Sequence, residues 1–155
     1  MKKTDLAYIA GILDGEGCIS ICKQRDSTRR MGVRYQLRIL VTNSEEWLLN
    51  WLKFSFGGRV YKTREADSIH KACWRWIIDS HQALEFLKLV YPYLHLKKGK
   101  AELAFTFQQA KKRGYHTKKH KTDEEFALEE AQALLMKCLN KRGRNEQSVD
   151  APLPA

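Results

Sequence analysis

Asp14, Gly15 and Glu16 close a run of apolar residues, Leu6-Ala7-Tyr8-Ile9-Ala10-Gly11-Ile12-Leu13, near the start of the chain. The run predicts a helix from about Asp5 to Glu16, capped by Thr4 and ended by Gly15 and Gly17. Glu16 then stands at the helix C-terminus, where the macrodipole is unfavourable for an anion. The same helix carries small residues at every fourth position, Ala7, Gly11 and Gly15. Glycine in a helix interior costs about 1 kcal/mol relative to alanine, so the stripe needs a reason, and close approach of a second helix supplies one. A helix apolar on most sides needs partners on most sides, and the same helix of a second subunit across a two-fold axis is one solution. That pairing would bring two Glu16 carboxylates together, a repulsion that divalent cations would relieve. Two carboxylates, a backbone carbonyl and phosphate oxygens make the hard oxygen shell that Mg²⁺ prefers. Cations held there would stabilise the attacking and leaving oxygens of a phosphodiester hydrolysis.

Such a site needs elements that hold it and a surface that brings a polyanion to it. After the first helix, Ile19 and Ile21 alternate with Ser20, Cys22 and Gln24, a strand with one buried face. Asp26 to Gly32 is a basic turn. Tyr35, Leu37, Ile39 and Val41 then alternate with Arg34, Gln36, Arg38 and Leu40, the clearest period-two stretch in the chain. Thr42-Asn43-Ser44-Glu45 offers cap residues for a second helix carrying Trp47, Leu48, Trp51 and Leu52 and ended by Gly57-Gly58. Arg59 to Arg64 and Lys71 to Asp79 read as a second strand pair, with Trp74, Trp76 and Ile78 inward. His81 to Tyr91 is an amphipathic helix stopped by Pro92. Another helix runs from Lys97 to Lys112, Gly114 to Thr122 is a basic loop, and Asp123 opens a last helix to about Leu139. The segment from Asn145 to Ala155 is expected to be a disordered tail.

The order helix, two strands, helix, two strands, then helices predicts an α+β fold. A four-stranded antiparallel sheet would carry all its helices on one face. The open face would present Gln24, Arg34, Gln36, Arg38, Lys71 and Arg75, with Ser20, Cys22, Arg59 and Tyr61 on the same surface. Rows of long hydrogen-bonding side chains on a twisted sheet suit a DNA major groove, where Arg reads guanine and Gln reads adenine.

Charge agrees with this. The chain of 155 residues has 28 Lys and Arg against 18 Asp and Glu, a net +10. Nine basic residues and one acid lie between Lys97 and Lys121, and six basic residues and one acid between Lys23 and Arg38. Positive charge concentrated this way favours a polyanion through counterion release. No stretch reaches the roughly 20 apolar residues of a membrane helix, so no membrane partner is expected, and no small-molecule substrate is indicated. The chain is expected inside a cell, in a prokaryotic cytoplasm or an organelle. Cys18, Cys22, Cys73 and Cys138 read as inert thiols, and the five histidines show no metal-ligand spacing.

The stretch Ile9-Ala10-Gly11-Ile12-Leu13-Asp14-Gly15-Glu16-Gly17 resembles the LAGLIDADG motif of homing endonucleases, with Ala10, Gly11, Asp14 and Gly17 identical to it. The αββαββα order agrees with that family's fold. The motif occurs once, as in the homodimeric branch, and the resemblance covers residues 4 to 144, one domain. It implies that Glu16 is the catalytic metal ligand, that the Gly15 carbonyl is a backbone ligand, and that Asp14 stabilises the turn. Asn43 falls where the family carries a polar residue, often Gln, that holds water. Pro92-Tyr93-Leu94-His95-Leu96-Lys97-Lys98 is similar to the segment carrying the family's catalytic lysine, which maps best to Lys97. Leu139-Asn140-Lys141-Arg142 resembles a loop that touches the DNA backbone. The function so implied is metal-dependent, site-specific cleavage of double-stranded DNA by a symmetric homodimer with Mg²⁺ as cofactor. An intron RNA maturase and a non-catalytic DNA-binding regulator are the competing readings on the same fold.

Overall fold

The computed structural model describes residues 1–115 and 121–141. The elements are α1 (Lys3–Glu16), β1 (Gly17–Arg25), β2 (Val33–Asn43), α2 (Glu46–Phe56), β3 (Arg59–Arg64), β4 (Cys73–Asp79), α3 (Ser80–Val90), a 3₁₀ turn (Tyr91–Tyr93), α4 (Lys98–Tyr115) and α5 (Asp123–Asn140). The strands form one antiparallel sheet in the order β1-β2-β4-β3. The predicted αββαββα architecture is therefore present, with α4 and α5 following it. The expected tail at 145–155, Arg142, and most of the basic loop, with His116 and His120, lie outside the described residues.

The alternation in β2 sets the layers. Tyr35, Leu37, Ile39 and Val41 are buried and face the helices, together with Ile19, Ile21, Trp76 and Ile78. Fully burying each such side chain stabilises the fold by roughly 1.5–3 kcal/mol. Phe86, Leu87, Ala101, Ala104 and Phe107 complete the core from α3 and α4. Gly57 and Gly58 both take positive φ between α2 and β3. A Cβ on Gly58 would collide with the Ile77 carbonyl, so only glycine makes this turn without displacement.

Several boundaries differ from expectation. Thr4 is not the cap: α1 starts at Lys3, and Asp5 accepts the Lys2 backbone N–H at 3.0 Å. Lys71 precedes β4, and its carbonyl receives the Arg64 guanidinium at 3.2 Å. Residues 42–45 do not cap α2 through a side chain, because Asn43 ends β2 and folds back on the Glu45 N–H at 2.8 Å. In α2 the buried side is Leu48, Leu49 and Leu52, while Trp47 turns outward. Pro92 lies within the 3₁₀ turn after α3, and α4 runs past Gly114 to Tyr115.

One core feature is polar. Lys111 of α4 is half-buried, donates from Nζ to the Tyr35 carbonyl and lies 4.7 Å from the Phe107 ring centroid. Burial pushes its pKa down to about 8; Glu129 opposes this, while Lys121, Arg29 and Arg34 reinforce it. Between pH 8 and the ordinary lysine value near 10.5 the unfolded chain binds this proton and the native state does not. The group's contribution to stability therefore rises with pH across that window. Urea unfolding at pH 7.5 and 9.5 is expected to show this gain in the wild type and a smaller one in Lys111→Met.

Candidate functional site

The helix α1 divides cleanly by face. Ile9, Ala10 and Leu13 are buried against the sheet and α3, whereas Ala7, Gly11 and Gly15 are exposed on the opposite side. A Cβ built on Gly11 or Gly15 meets nothing within 4 Å, so no contact inside the protomer requires either glycine. The stripe is flanked by aromatic surface. Exposed Tyr8 packs on Trp51 with ring centroids 6.2 Å apart, and Trp47 and Phe54 on the same side of α2 are 62% and 93% exposed.

At its C-terminus α1 passes directly into β1. Gly17 makes the junction, its N–H reaching the Ile12 and Leu13 carbonyls. A Cβ there would lie 2.8 Å from the Leu13 carbonyl oxygen, so glycine is required by close packing. The last carbonyls of any helix lack intrahelical donors. Here the Lys97 ammonium donates to those of Leu13, at 2.7 Å, and Asp14. A cation at this end also offsets the macrodipole that Glu16 opposes. Asp14 points the other way and accepts the backbone N–H groups of His95 at 2.8 Å and Lys97 at 2.9 Å. Asp14 thus ties the segment before α4 to the end of α1, and that tie puts Lys97 beside the acidic terminus.

Glu16 is exposed, and its Oε2 accepts a hydrogen bond from the Asn43 side-chain amide at the end of β2. The β1–β2 register pairs Gly17 with Val41, so β2 runs two residues beyond that pair and brings Asn43 within reach of Glu16. Glu16, Asn43, Lys97 and the Gly15 backbone therefore gather at one corner of the molecule. Among the described residues no group of three His, Cys, Asp or Glu side chains could hold a metal. Among the described residues at this corner, Glu16, held on one oxygen by Asn43, is the carboxylate not tied to backbone N–H groups; with the backbone carbonyls it makes a hard oxygen set that fits a divalent cation only when ligands from outside the protomer join it. Asp14→Ala is expected to lower stability by about 2 kcal/mol, the scale of hydrogen bonds to a charged group, by releasing the His95 and Lys97 backbone from the end of α1. Thermal unfolding checks this.

The sheet's outer face begins at the same corner. Successive cross-strand rows are Thr42–Arg75–Tyr61, Cys18–Leu40–Ile77–Arg59, Ser20–Arg38–Asp79, Cys22–Gln36 and Gln24–Arg34. Arg75 Nε donates to the Thr42 hydroxyl at 3.2 Å, and Arg34 to Gln24 at 3.1 Å. The face is less uniformly polar than the sequence implied. Leu40 and Ile77 form an apolar row, and Asp79 is an acid in its middle. The predicted Asn140 is committed elsewhere, its amide donating to the Ile19 carbonyl at 2.7 Å, while Lys141 is exposed.

The LAGLIDADG endonuclease family profile matches residues 9–113. No curated protein sequence matches the chain. Among solved structures, the chain is similar to the homing endonuclease I-CvuI in complex with the I-CreI target, at 17% identity and TM-score 0.72 over 94% of this chain and 87% of that one. It is also similar to the archaeal intron-encoded homing endonuclease I-Vdi141I complexed with DNA, at 15% identity and TM-score 0.73 over 97% and 92%. Against the LAGLIDADG meganuclease I-AabMI bound to uncleaved DNA the TM-score is 0.65 at 20% identity, and 83% of this chain covers 45% of that one. With the profile spanning the motif helix, all four strands and the lysine segment, the chain belongs to the LAGLIDADG endonuclease family.

Proposed function

We propose that the chain is a site-specific double-strand DNA endonuclease that acts as a symmetric homodimer with a divalent cation, Mg²⁺, on a long, roughly palindromic site. The observation that carries this reading is the exposed Ala7–Gly11–Gly15 stripe ending in Glu16, whose glycines have no use inside one protomer. Two α1 helices crossing along the stripe would approach closely and bring two Glu16 carboxylates together. Exposed Tyr8, Trp47 and Phe54 beside the stripe are apolar area that a second copy would cover. The chain covers 87% of I-CvuI and 92% of I-Vdi141I but 45% of I-AabMI.

In this reading Glu16 and the Gly15 carbonyl would hold the cation, with the partner copy's Glu16 and DNA phosphate oxygens as the remaining ligands. The bound ion supplies Lewis-acid stabilisation of the attacking and leaving oxygens. Asn43 orients Glu16 through the hydrogen bond at the end of β2 and can hold a water at the same place. Lys97 supplies positive charge against the phosphate as charge develops. The outer sheet face reads bases, chiefly through Gln24, Arg34, Gln36 and Arg75, while Lys141 and neighbouring basic residues contact phosphates. I-CvuI is described with DNA in the presence of Mg or Ca and I-Vdi141I with DNA, which supports a DNA partner and a divalent cation here.

The test is a pool of randomised duplexes incubated with purified protein and Mg²⁺. Double-strand cuts at one recurring sequence, abolished by EDTA and restored by Mg²⁺, are expected. Sequence-specific binding with no cation-dependent cut would overturn the reading.

A further inference from the structure

The acid on the outer sheet face has no role in the site described above. Asp79 closes β4 and occupies the N-cap position of α3, where aspartate is among the preferred residues, yet its side chain makes no cap hydrogen bond. The next residue, Ser80, is the one described non-glycine residue with positive φ, at 51°. A forgone cap beside a strained residue marks a side chain held for another purpose.

That purpose is visible across the sheet. Asp79 is the register partner of Arg38 on β2, and its Oδ1 accepts from Arg38 Nε at 2.7 Å. Its Oδ2 accepts from Arg59 Nη2 of β3 at 3.2 Å. Both carboxylate oxygens are thus used by arginines from two different strands. Arg38 is the more enclosed of the two, with 24% of its side chain exposed against 69% for Arg59. The bond to Asp79 also holds the Arg38 pKa above its ordinary value.

We infer that Asp79 is a specificity-determining positioning residue that fixes Arg38 as a reader of guanine in each half-site. The Nε bond sets the plane of the guanidinium and leaves its Nη edge as a two-donor fork. Guanine O6 and N7 in the major groove accept such a fork, the commonest specific contact in DNA recognition. An arginine tied at Nε cannot swing out to a phosphate, so its charge goes to base reading instead of backbone attraction. The acid itself repels phosphates, and with Arg38 and Arg59 it leaves a net charge of +1 where two free arginines would give +2. This inference rests on the proposed DNA-binding face and adds to it the base class read and the residue that enforces it.

The experiment is selection from a randomised duplex library, without cleavage, using wild-type protein, Asp79→Asn and Arg38→Lys. Asn keeps the size and removes the charge that fixes the guanidinium. The wild type is expected to show a guanine preference at one position per half-site, and both variants to lose about tenfold or more of it at that position alone. Binding of Asp79→Asn to unrelated duplex is expected to tighten and its salt dependence to steepen by about one phosphate contact. A merely structural role would lower binding at every position alike and leave the base preferences unchanged. Unchanged guanine preference in Asp79→Asn, with selective binding otherwise intact, would overturn this inference and leave the endonuclease reading standing. A wild type with no base preference at all would overturn both.

Discussion

Glu16→Gln is expected to abolish strand cleavage while leaving duplex binding within a few-fold of the wild type. Glutamine keeps the shape and can still meet the Asn43 amide through its carbonyl oxygen, but it carries no charge to bind a divalent cation. Among the described residues this corner has no second carboxylate to compensate, because Asp14 is committed to the His95 and Lys97 backbone. Loss of the ion's several kcal/mol of transition-state stabilisation predicts a drop of at least about a thousand-fold in rate, since each 1.36 kcal/mol is a factor of ten. Mixed dimers with one wild-type and one Glu16→Gln subunit sharpen the test, because two carboxylates that share the cations predict slower cutting of both strands, whereas independent sites would leave a nicked duplex. Single-turnover cleavage with gel separation of nicked and linear product measures both effects. Full double-strand cutting by the Glu16→Gln homodimer would remove Glu16 from the chemistry.

The second large effect separates folding from assembly. Gly11→Leu should leave the protomer as stable as the wild type or slightly more stable, because the built Cβ meets nothing within 4 Å and helical glycine is worth about 1 kcal/mol less than better helix formers. The same leucine would stand between two helix backbones that must approach closely, and overpacking such a contact is destabilising. Sedimentation should therefore report a folded monomer, melting below the wild-type dimer only by the concentration-dependent stability that assembly contributes, and with at least about a hundred-fold slower double-strand cleavage. A Gly11→Leu protein that remains dimeric and active would show that the stripe has no part in assembly. Phe54→Lys, on the flanking aromatic surface, is expected to weaken the dimer in the same direction without touching the stripe.

The elements that hold the corner around Glu16 are legible in the sequence because their signals are local. The alternation from Arg34 to Val41 could place its apolar set on only one face, since a slip of one residue would turn every side chain over. The run from Leu6 to Glu16 carried both its core side and its small-residue side in one period. Boundaries were read less well where backbone donors chose partners outside the usual pattern, as when Asp5 rather than Thr4 received the N-terminal N–H of α1. Trp47 reads from the sequence as one of the apolar residues of α2, and only the packing shows that Leu49 takes the buried place instead. Proximity of Lys97 to the end of α1 rested on resemblance alone, because the contact joins residues more than eighty positions apart.

Two other features could not be read from the linear chain. Asp79 before Ser80 looks like an ordinary N-cap, and its attachment to Arg38 and Arg59 exists only through the pairing of β4 with β2 and β3. Lys111 sits in a run of basic residues that reads as solvated surface. Its burial follows from α4 lying across the sheet with Ala101, Ala104 and Phe107 inward, which carries the Lys111 stem over Phe107 toward the Tyr35 carbonyl. The sequence does contain the spacing, since residues 104, 107, 108 and 111 share one side of a helix.

A structure of the protein on its cognate duplex with Ca²⁺ in place of Mg²⁺ measures the arrangement at issue most directly. Two chains per duplex are expected, crossing at Gly11 and Gly15, with the two Glu16 carboxylates sharing cations spaced at about 4 Å beside the scissile phosphates. One chain per duplex, or Glu16 side chains held apart and remote from both strands, would contradict the account.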